Sequence, residues 1–441
     1  MNAGETEIPV LRRWWALAVI TAIYTIHAVD RTVVSIVLEP LKNQFHLSDR
    51  AAGFLGGLAH SAGFVVTVIP LGMLVDRVNR VRLLGGMVIL WSGLTLFASW
   101  ASSFIGLALC RLGVGAAEGG GSSCSLSLIA DYFPKHQRGA AFGIFFSSTA
   151  LGVGLIFLFG GMIVGAYGWR AAFAVAGLPG VLLGLLALLT LRNPQRGRYD
   201  EGVRPPAKAK APPLSTVLRH IATTPTLGLS ILGLTLATAV VAGLWAWAAS
   251  FFERVYGLSL RDTGLVLAIA LGLVQGAGLP LFGRLSDRLT RDRPDRIHVV
   301  AVFGMLASIP IGAIMLLTPS LELAIVGVML LGASTAAWLG QTFGAVAALA
   351  PPAMRGSVVG FGQLCTNLIG TGCGPLLVGA LSDAFGGQGA LRYGMMAILA
   401  IYLAAAASLM RAMRLLRRDR AVNGGSAAAG VPVPAAKGAT G

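Results

Sequence analysis

Four ionisable residues lie in stretches that are otherwise apolar: Asp30 and Arg31, which are adjacent, and Arg111 and Glu118, which are seven residues apart. Charges in such a setting are costly unless they pair or reach water, so each is a functional candidate. A spacing of seven is two helical turns, which places Arg111 and Glu118 on one helix face about 10 Å apart along the axis. Two acids and two guanidiniums also sum to zero charge, so a purely structural role, holding two helices together, uses the same geometry. The two residue types differ in chemistry. Arginine stays protonated at any relevant pH, so only Asp30 or Glu118 takes up a proton. Protonating one of them frees an arginine to bind a phosphate or carboxylate through its planar fork. The expected roles are therefore proton coupling at Asp30 and Glu118 and head-group binding at Arg31 and Arg111. His27, one turn before this pair, and His60 read as hydrogen-bonded packing residues.

The elements that must position these groups follow from composition. Of 441 residues, 55% are hydrophobic and 12% charged, whereas soluble domains carry about 25% charged residues. An ordinary soluble enzyme is excluded. A membrane-crossing helix needs about 20 mostly apolar residues, and twelve such runs occur: 14–38, 51–74, 82–100, 103–130, 139–166 and 170–191, then 225–252, 263–283, 297–318, 322–349, 357–382 and 391–411. No stretch shows the apolar–polar alternation of a membrane β-barrel. The expected fold is an all-α integral membrane protein. The first run is too long for a signal peptide and carries Asp30 and Arg31, so it reads as a retained helix.

The net charge of +16 is a topology signal. With the N-terminus inside, 26 of the 34 basic residues fall on the inner side and 6 on the outer, which puts both termini in the cytoplasm. Basic residues spread over loops in this way face anionic lipid rather than nucleic acid. Cys110, Cys124, Cys365 and Cys373 all fall inside spans, with no metal-ligand spacing, so no metal or other cofactor is expected.

The chain repeats itself. Residues 192–224 are basic and proline-rich and separate six spans from six. "GMLVDRVNRVR" (72–82) in the first half matches "GRLSDRLTRDR" (283–293) in the second at a constant offset of 211, and "RGAAFG" (138–143) matches "RGSVVG" (355–360). Parallel six-helix halves with a site between them are a transporter architecture. Gly72, Asp76, Arg77, Arg80, Asp131 and Arg138, with Gly283, Asp287, Arg288 and Arg291, form the expected gating motif. In it the glycines are expected to let helices approach closely, Asp76 to face a helix N-terminus, and Arg80 to reach Asp131. The second half has Ala348 where the first has Asp131.

With twelve spans and a central basic loop, the G-x-x-x-D-R-x-x-R loops resemble those of the major facilitator superfamily. Within it, "DRTVVSIVLEPLKNQFHLSD" (30–49), "RLGVGAAEGG" (111–120), "SLIADYFPKHQRG" (127–139), "GWRAAFAVAGLPG" (168–180) and "NLIGTGCGPLLVGALSD" (367–383) resemble the Spinster-like branch. The resemblance implies two pseudo-symmetric bundles, 1–191 and 225–411, joined by a cytoplasmic loop, 192–224, and followed by a disordered tail, 412–441. It implies a monomeric secondary transporter of the inner membrane, proton-coupled, moving a lysolipid-like or sphingoid-like molecule while its halves rock. It also implies that helices one and four line a central cavity, so that Asp30–Arg111 and Arg31–Glu118 become neighbours. From the second half, Gln341 and Asn367 are expected to face that cavity, ahead of Gln275, Gln363, Trp245, Trp247 and Trp338. Two rivals remain: a proton-linked organic-anion or drug carrier, and a transport-inactive sensor. An enzyme is not supported, since no nucleophile–base motif, zinc spacing or phosphate-binding loop occurs. The glycine-dense run 148–161 is expected to bend its helix.

Overall fold

The structure, a computed structural model, describes residues 8–199, 213–291, 293–351, 354–387 and 389–428. Among the described residues there is helix and no strand. Polar caps start many of the helices: Ser48, Asn79, Ser103, Ser259 and Ser320 each accept a backbone N–H from the third residue onward, satisfying one of the donors a helix start leaves free. The first half comprises α1 (Val10–Phe45), α2 (Asp49–Gly56) and α3 (Leu58–Val75), α4 (Arg80–Ala98), α5 (Phe104–Glu118) and α6 (Gly121–Tyr132), and α7 (Lys135–Thr190). The second comprises α9 (Pro225–Tyr256), α10 (Leu260–Leu267) and α11 (Gly276–Thr290), α12 (Val299–Leu317), α13 (Leu321–Leu349), α14 (Arg355–Cys365) and α15 (Cys373–Phe385), and α16 (Ala390–Leu399) with α17 (Ile401–Ala428). Between the halves lies α8 (Leu214–Thr223), a short helix within the stretch expected to be loop.

Among the described residues, ten helical units are long and apolar enough to cross a membrane. One of them, α7, crosses twice, because Gly168 stands at φ 80° and ψ 172° and reverses the chain there; its lack of a Cβ permits that backbone. The α5–α6 pair, interrupted at Gly119–Gly120, supplies one more crossing, so twelve result. Gly168 is the position inside α7 with non-helical backbone angles, and the glycine-dense 148–161 run keeps helical ones. The last helix continues to Ala428, past the expected start of a disordered tail at 412. Residues 200–212 and 429–441, parts of the expected loop and tail, lie outside the described residues.

The face that carries the start of α1 is the terminal face; the opposite one is the far face. Towards the far face the apolar core is continuous across the halves, joining Val33, Val37 and Phe157 to Trp247, Phe251 and Leu267. Towards the terminal face, the core around Ile20, Trp91, Tyr132 and Phe145 contains first-half residues only. The halves therefore meet at the far side and part at the terminal side. The motif glycines follow this division: a Cβ built at Gly72 or Gly283 meets no atom within 4 Å. The expectation that these two glycines serve close helix packing is corrected, since in this conformation they border open space. Close approach occurs elsewhere. Gly57 breaks the α2–α3 helix, and a Cβ there would stand 2.6 Å from the Gly372 carbonyl oxygen of the other half.

Candidate functional site

Two second-half crossings widen into π-helix where they face the first half, at Ala268–Gln275 and at Thr366–Gly372. Together with α1, α3, α5, α7, α9 and α13 they enclose a cavity of about 390 Å³. Its first-half wall is polar: Tyr24, His27, Arg31, His60 and Arg111 line it. The opposite wall is mostly apolar, with Val241, Trp245, Leu271, Leu339 and Phe343, and carries Gln275, Asn367 and Thr371 as polar groups.

Arg31 spans this space. Its Nη2 donates to Asn367 Oδ1 (2.8 Å) and Thr371 Oγ1 (3.3 Å) on the other half. Asn367 is held for that purpose, because its own Nδ2 donates to the Gln363 carbonyl one turn back (2.9 Å). Arg111, buried, turns the other way: Nη1 donates to the Asp30 backbone carbonyl (2.8 Å) and Nη2 to that of Arg31 (3.4 Å). Asp30 and Arg111 are thus neighbours as expected, but through the Asp30 backbone carbonyl rather than its carboxylate. The Asp30 carboxylate, fully buried, accepts from Ser92 Oγ at 3.0 Å through Oδ2, and Oδ1 has no hydrogen-bond partner among the described residues.

Glu118 is not paired with Arg31 either. Its Oε2 is met by two imidazoles, His60 Nε2 at 2.7 Å and His27 Nε2 at 3.2 Å. The physical reason lies in the helix break. Glu118 ends α5 just before Gly119–Gly120, and Gly115 one turn earlier lets α5 lie directly on α3 at the His60 carbonyl. That contact brings the ring of His60 to the carboxylate, while Arg31 points across the cavity. The acids do not line the cavity; the histidines and arginines do. His27 and His60, read from sequence as packing residues, are the groups that connect Glu118 to the cavity. Stacking of Tyr24 on His27, with centroids 4.8 Å apart, fixes one of them.

The second-half expectations divide. Asn367 lines the cavity, whereas Gln341 is not among its lining residues and Gln275 is, with its amide on Thr335 Oγ1 (2.9 Å). Trp245 lines it, and Trp247 and Trp338 are buried among helices.

In the motif loops, Arg80 does reach Asp131, and both are buried. Arg80 also donates to Ser127 Oγ (2.8 Å), Asn193 Oδ1 (3.3 Å) and the Pro194 carbonyl (2.7 Å). The latch thus ties the first half to the start of the central stretch, and does not tie one half to the other. Asp76 is exposed and meets Arg196 at 3.7 Å rather than a helix N-terminus. Arg138 Nε donates to the Phe133 carbonyl (3.2 Å). Arg77, Asp287, Arg288 and Arg291 have no side-chain ion pair across the halves among the described residues.

Besides the Arg31 bonds in the cavity, the halves are joined by a cluster on the far face, where sequence reasoning placed only topology charges. Arg254 of α9 forks onto Asp49 (2.9 and 2.8 Å) and donates to Glu39 (2.8 Å). Lys42 is 2.5 Å from Asp49, and Ser382 Oγ donates to it at 2.6 Å. Asp383 of α15 accepts the Asp49 and Arg50 amides (2.9 and 2.8 Å), placing a carboxylate at the start of α2, where the helix dipole favours it. The only sequence signal for this cluster was that two of the resembling stretches end in Asp49 and Asp383.

The profile of the Major Facilitator Superfamily matches residues 20–368. An MFS-type efflux pump of Mycolicibacterium smegmatis is 27% identical over 415 residues, covering 92% of this chain and 94% of that one. The sphingosine-1-phosphate transporter SPNS2 of Danio rerio is 26% identical over 383 residues, covering 80% and 73%. Among solved structures, a bacterial homolog to the human lysosomal transporter Spinster, in an inward-facing and unoccupied conformation, superposes with a TM-score of 0.85 at 30% identity, covering 93% of this chain and 99% of that one.

Proposed function

Since the chain belongs to the Major Facilitator Superfamily, in its Spinster-like branch, we propose that it is a proton-coupled carrier of an amphipathic anion, lysolipid-like or sphingoid-like in form. Residues 1–191 and 225–411 are the rocking bundles, 192–224 is the link, and the terminal face is cytoplasmic because the sequence assigns 26 of 34 basic residues to the side of the N-terminus. The carrier works as a monomer in the inner membrane.

One observation carries the reading. Arg31 stands in the cavity with its guanidinium bonded to neutral acceptors of the opposite half, Asn367 and Thr371, so an anionic head group offers it a stronger, charge-assisted partner. The apolar wall from Val241 to Phe343 then receives the chain of the same molecule. Coupling follows from the polar wall. Protons pass from the cavity to Glu118 through His27 and His60, whose Nε2 atoms both rest on Oε2. Asp30 is the second acid, sealed behind Arg111 and Ser92. With both acids charged, Arg111 is held between them on the carbonyls of α1. Protonating them weakens that hold and frees Arg111 to join Arg31 on the head group.

The likeness to an efflux pump supports a second reading, a carrier of soluble organic anions or drugs. The two part in one experiment. Protein in liposomes with a lumenal pH dye is given lysophospholipids, phosphorylated sphingoid bases and soluble organic acids in turn, with Asp30→Asn and Glu118→Gln as controls. Proton movement with the amphipathic anions alone, lost in the controls, is the expected result. Movement with soluble acids alone replaces the substrate class. Silence with every compound, or full activity in both variants, overturns proton coupling at these residues.

A further inference from the structure

Beyond the cavity and the gate, the terminal face holds a second groove, lined by arginines. The end of α17 presents Arg411, Arg414 and Arg417 on one side, because residues three apart on a helix share a face. The last two meet Arg296, which is carried by the turn before α12. Arg296, Val299, Met410, Met413, Arg414 and Arg417 together line a groove of about 200 Å³ between α12 and α17. Its lining is of two kinds: three guanidiniums, and a valine with two methionines. One carboxylate is at hand. Asp295, buried, accepts from Arg417 Nε at 3.2 Å and so orients that arginine. Arg296 and Arg414 have no side-chain partner among the described residues. The first turn of α12 carries no acid, and no side chain caps its N-terminus, so Asp295 is the one acid set against three arginines among the described residues of this groove.

Guanidinium forks recognise phosphate, and basic pockets between helices at a membrane surface take anionic lipid head groups. We propose that this groove binds one anionic phospholipid of the leaflet on the terminal face. Its phosphate rests between Arg296 and Arg414, and its glycerol and first methylenes lie on Val299, Met410 and Met413. The occupant is a lipid rather than free phosphate because the groove sets guanidiniums beside apolar side chains at the ends of two apolar membrane-crossing helices. The site lies outside the transport cavity and binds a resident lipid, not the cargo.

Native mass spectrometry of the delipidated full-length protein, titrated with dioleoyl phosphatidylglycerol or dioleoyl phosphatidylcholine, tests this. One phosphatidylglycerol is expected to bind preferentially. Replacing both free arginines, Arg296→Gln with Arg414→Gln, should weaken it about 30-fold, at about fivefold for each cation lost near a lipid surface. The charge-preserving pair Arg296→Lys and Arg414→Lys should retain most of the binding. Retention there guards against a folding defect in the first pair, as does an unchanged melting curve. Arg12→Gln with Arg219→Gln removes two exposed cations elsewhere on the same face and should change little. Equal loss in that control means diffuse charge attraction and overturns the site. So does equal binding of phosphatidylcholine. Displacement of the lipid by millimolar inorganic phosphate overturns the lipid assignment.

Discussion

Arg254→Gln should unseat the far-face seal. In the structure Arg254 makes two bonds to Asp49 and one to Glu39, and its side chain is 19% exposed against 6% and 11% for theirs. Breaking a buried pair of this kind costs about 3–5 kcal/mol. In the opened form Arg254 gains water in exchange, and Lys42, Ser382 and the Asp383 cap persist in the sealed form. A net loss of about 2–3 kcal/mol from the sealed state follows, which shifts the equilibrium about 100-fold. A seal favoured 100 to 1 then becomes about evenly populated. Nitroxide labels at Ser102 and Ala384, both exposed and on opposite halves, read the far-face separation by pulsed electron spin resonance in nanodiscs. Wild type should give one short distance, Arg254→Gln a second, longer one of comparable weight, and Arg254→Lys an intermediate. A double-mutant cycle with Asp49→Asn should show strong coupling. An unchanged distance distribution in Arg254→Gln, with an unchanged melting curve, would refute the claim that this cluster holds the halves together.

Three further outcomes follow. Gly57→Ala places a methyl 2.6 Å from the Gly372 oxygen and 2.7 Å from that of Thr371, both backbone atoms of the other half; overpacking of about 1–3 kcal/mol should populate the same longer distance without touching a charge. Asp131→Asn leaves Arg80 buried without its counter-ion and should lower stability by about 3–5 kcal/mol, seen as a lower melting temperature, while leaving the far-face distance unchanged because that latch lies within one half. His298, just outside α12, is fully buried. Ser230 donates to the Thr226 carbonyl and so accepts from His298 Nε2 (2.8 Å), which leaves Nδ1 without a partner. Burial holds its imidazole down at about 4 against an ordinary 6.5. The unfolded chain therefore binds the extra proton first, and the histidine's contribution is intact above about pH 6.5 and lost as pH falls towards about 4. Melting curves between those values should fall more steeply in wild type than in His298→Gln.

The twelve crossings were legible because each needs a long apolar run, and length and hydropathy are local properties. The four intramembrane charges were legible for the same reason, but their partners were not. Two helices lining one cavity made Arg31 and Glu118 expected neighbours, whereas the pairing depends on helix rotation. Gly115 and the Gly119–Gly120 break turn Glu118 towards His60, and nothing local in the sequence reports that. The π-helical segments that carry Asn367 and Gln275 to the cavity are similarly invisible to a 3.6-residue period. The far-face cluster joins residues more than 200 positions apart, beyond the reach of any spacing rule. Gly72 and Gly283 were identified as a matched pair, yet their surroundings depend on conformation, and here the halves stand apart around them.

The central claim is that a proton taken up at Glu118 drives the cargo, and it is tested most directly by separating net transport from exchange. Liposomes carrying wild type, Glu118→Gln, or His27→Gln with His60→Gln are loaded with whichever compound the pH-dye panel selects. Uptake is then measured under a pH gradient, and separately as exchange at equal pH and equal concentration. The account predicts that both variants lose gradient-driven uptake and that Glu118→Gln retains exchange, because cargo binding rests on Arg31 and Arg111. Gradient-driven uptake by Glu118→Gln at the wild-type rate would contradict it.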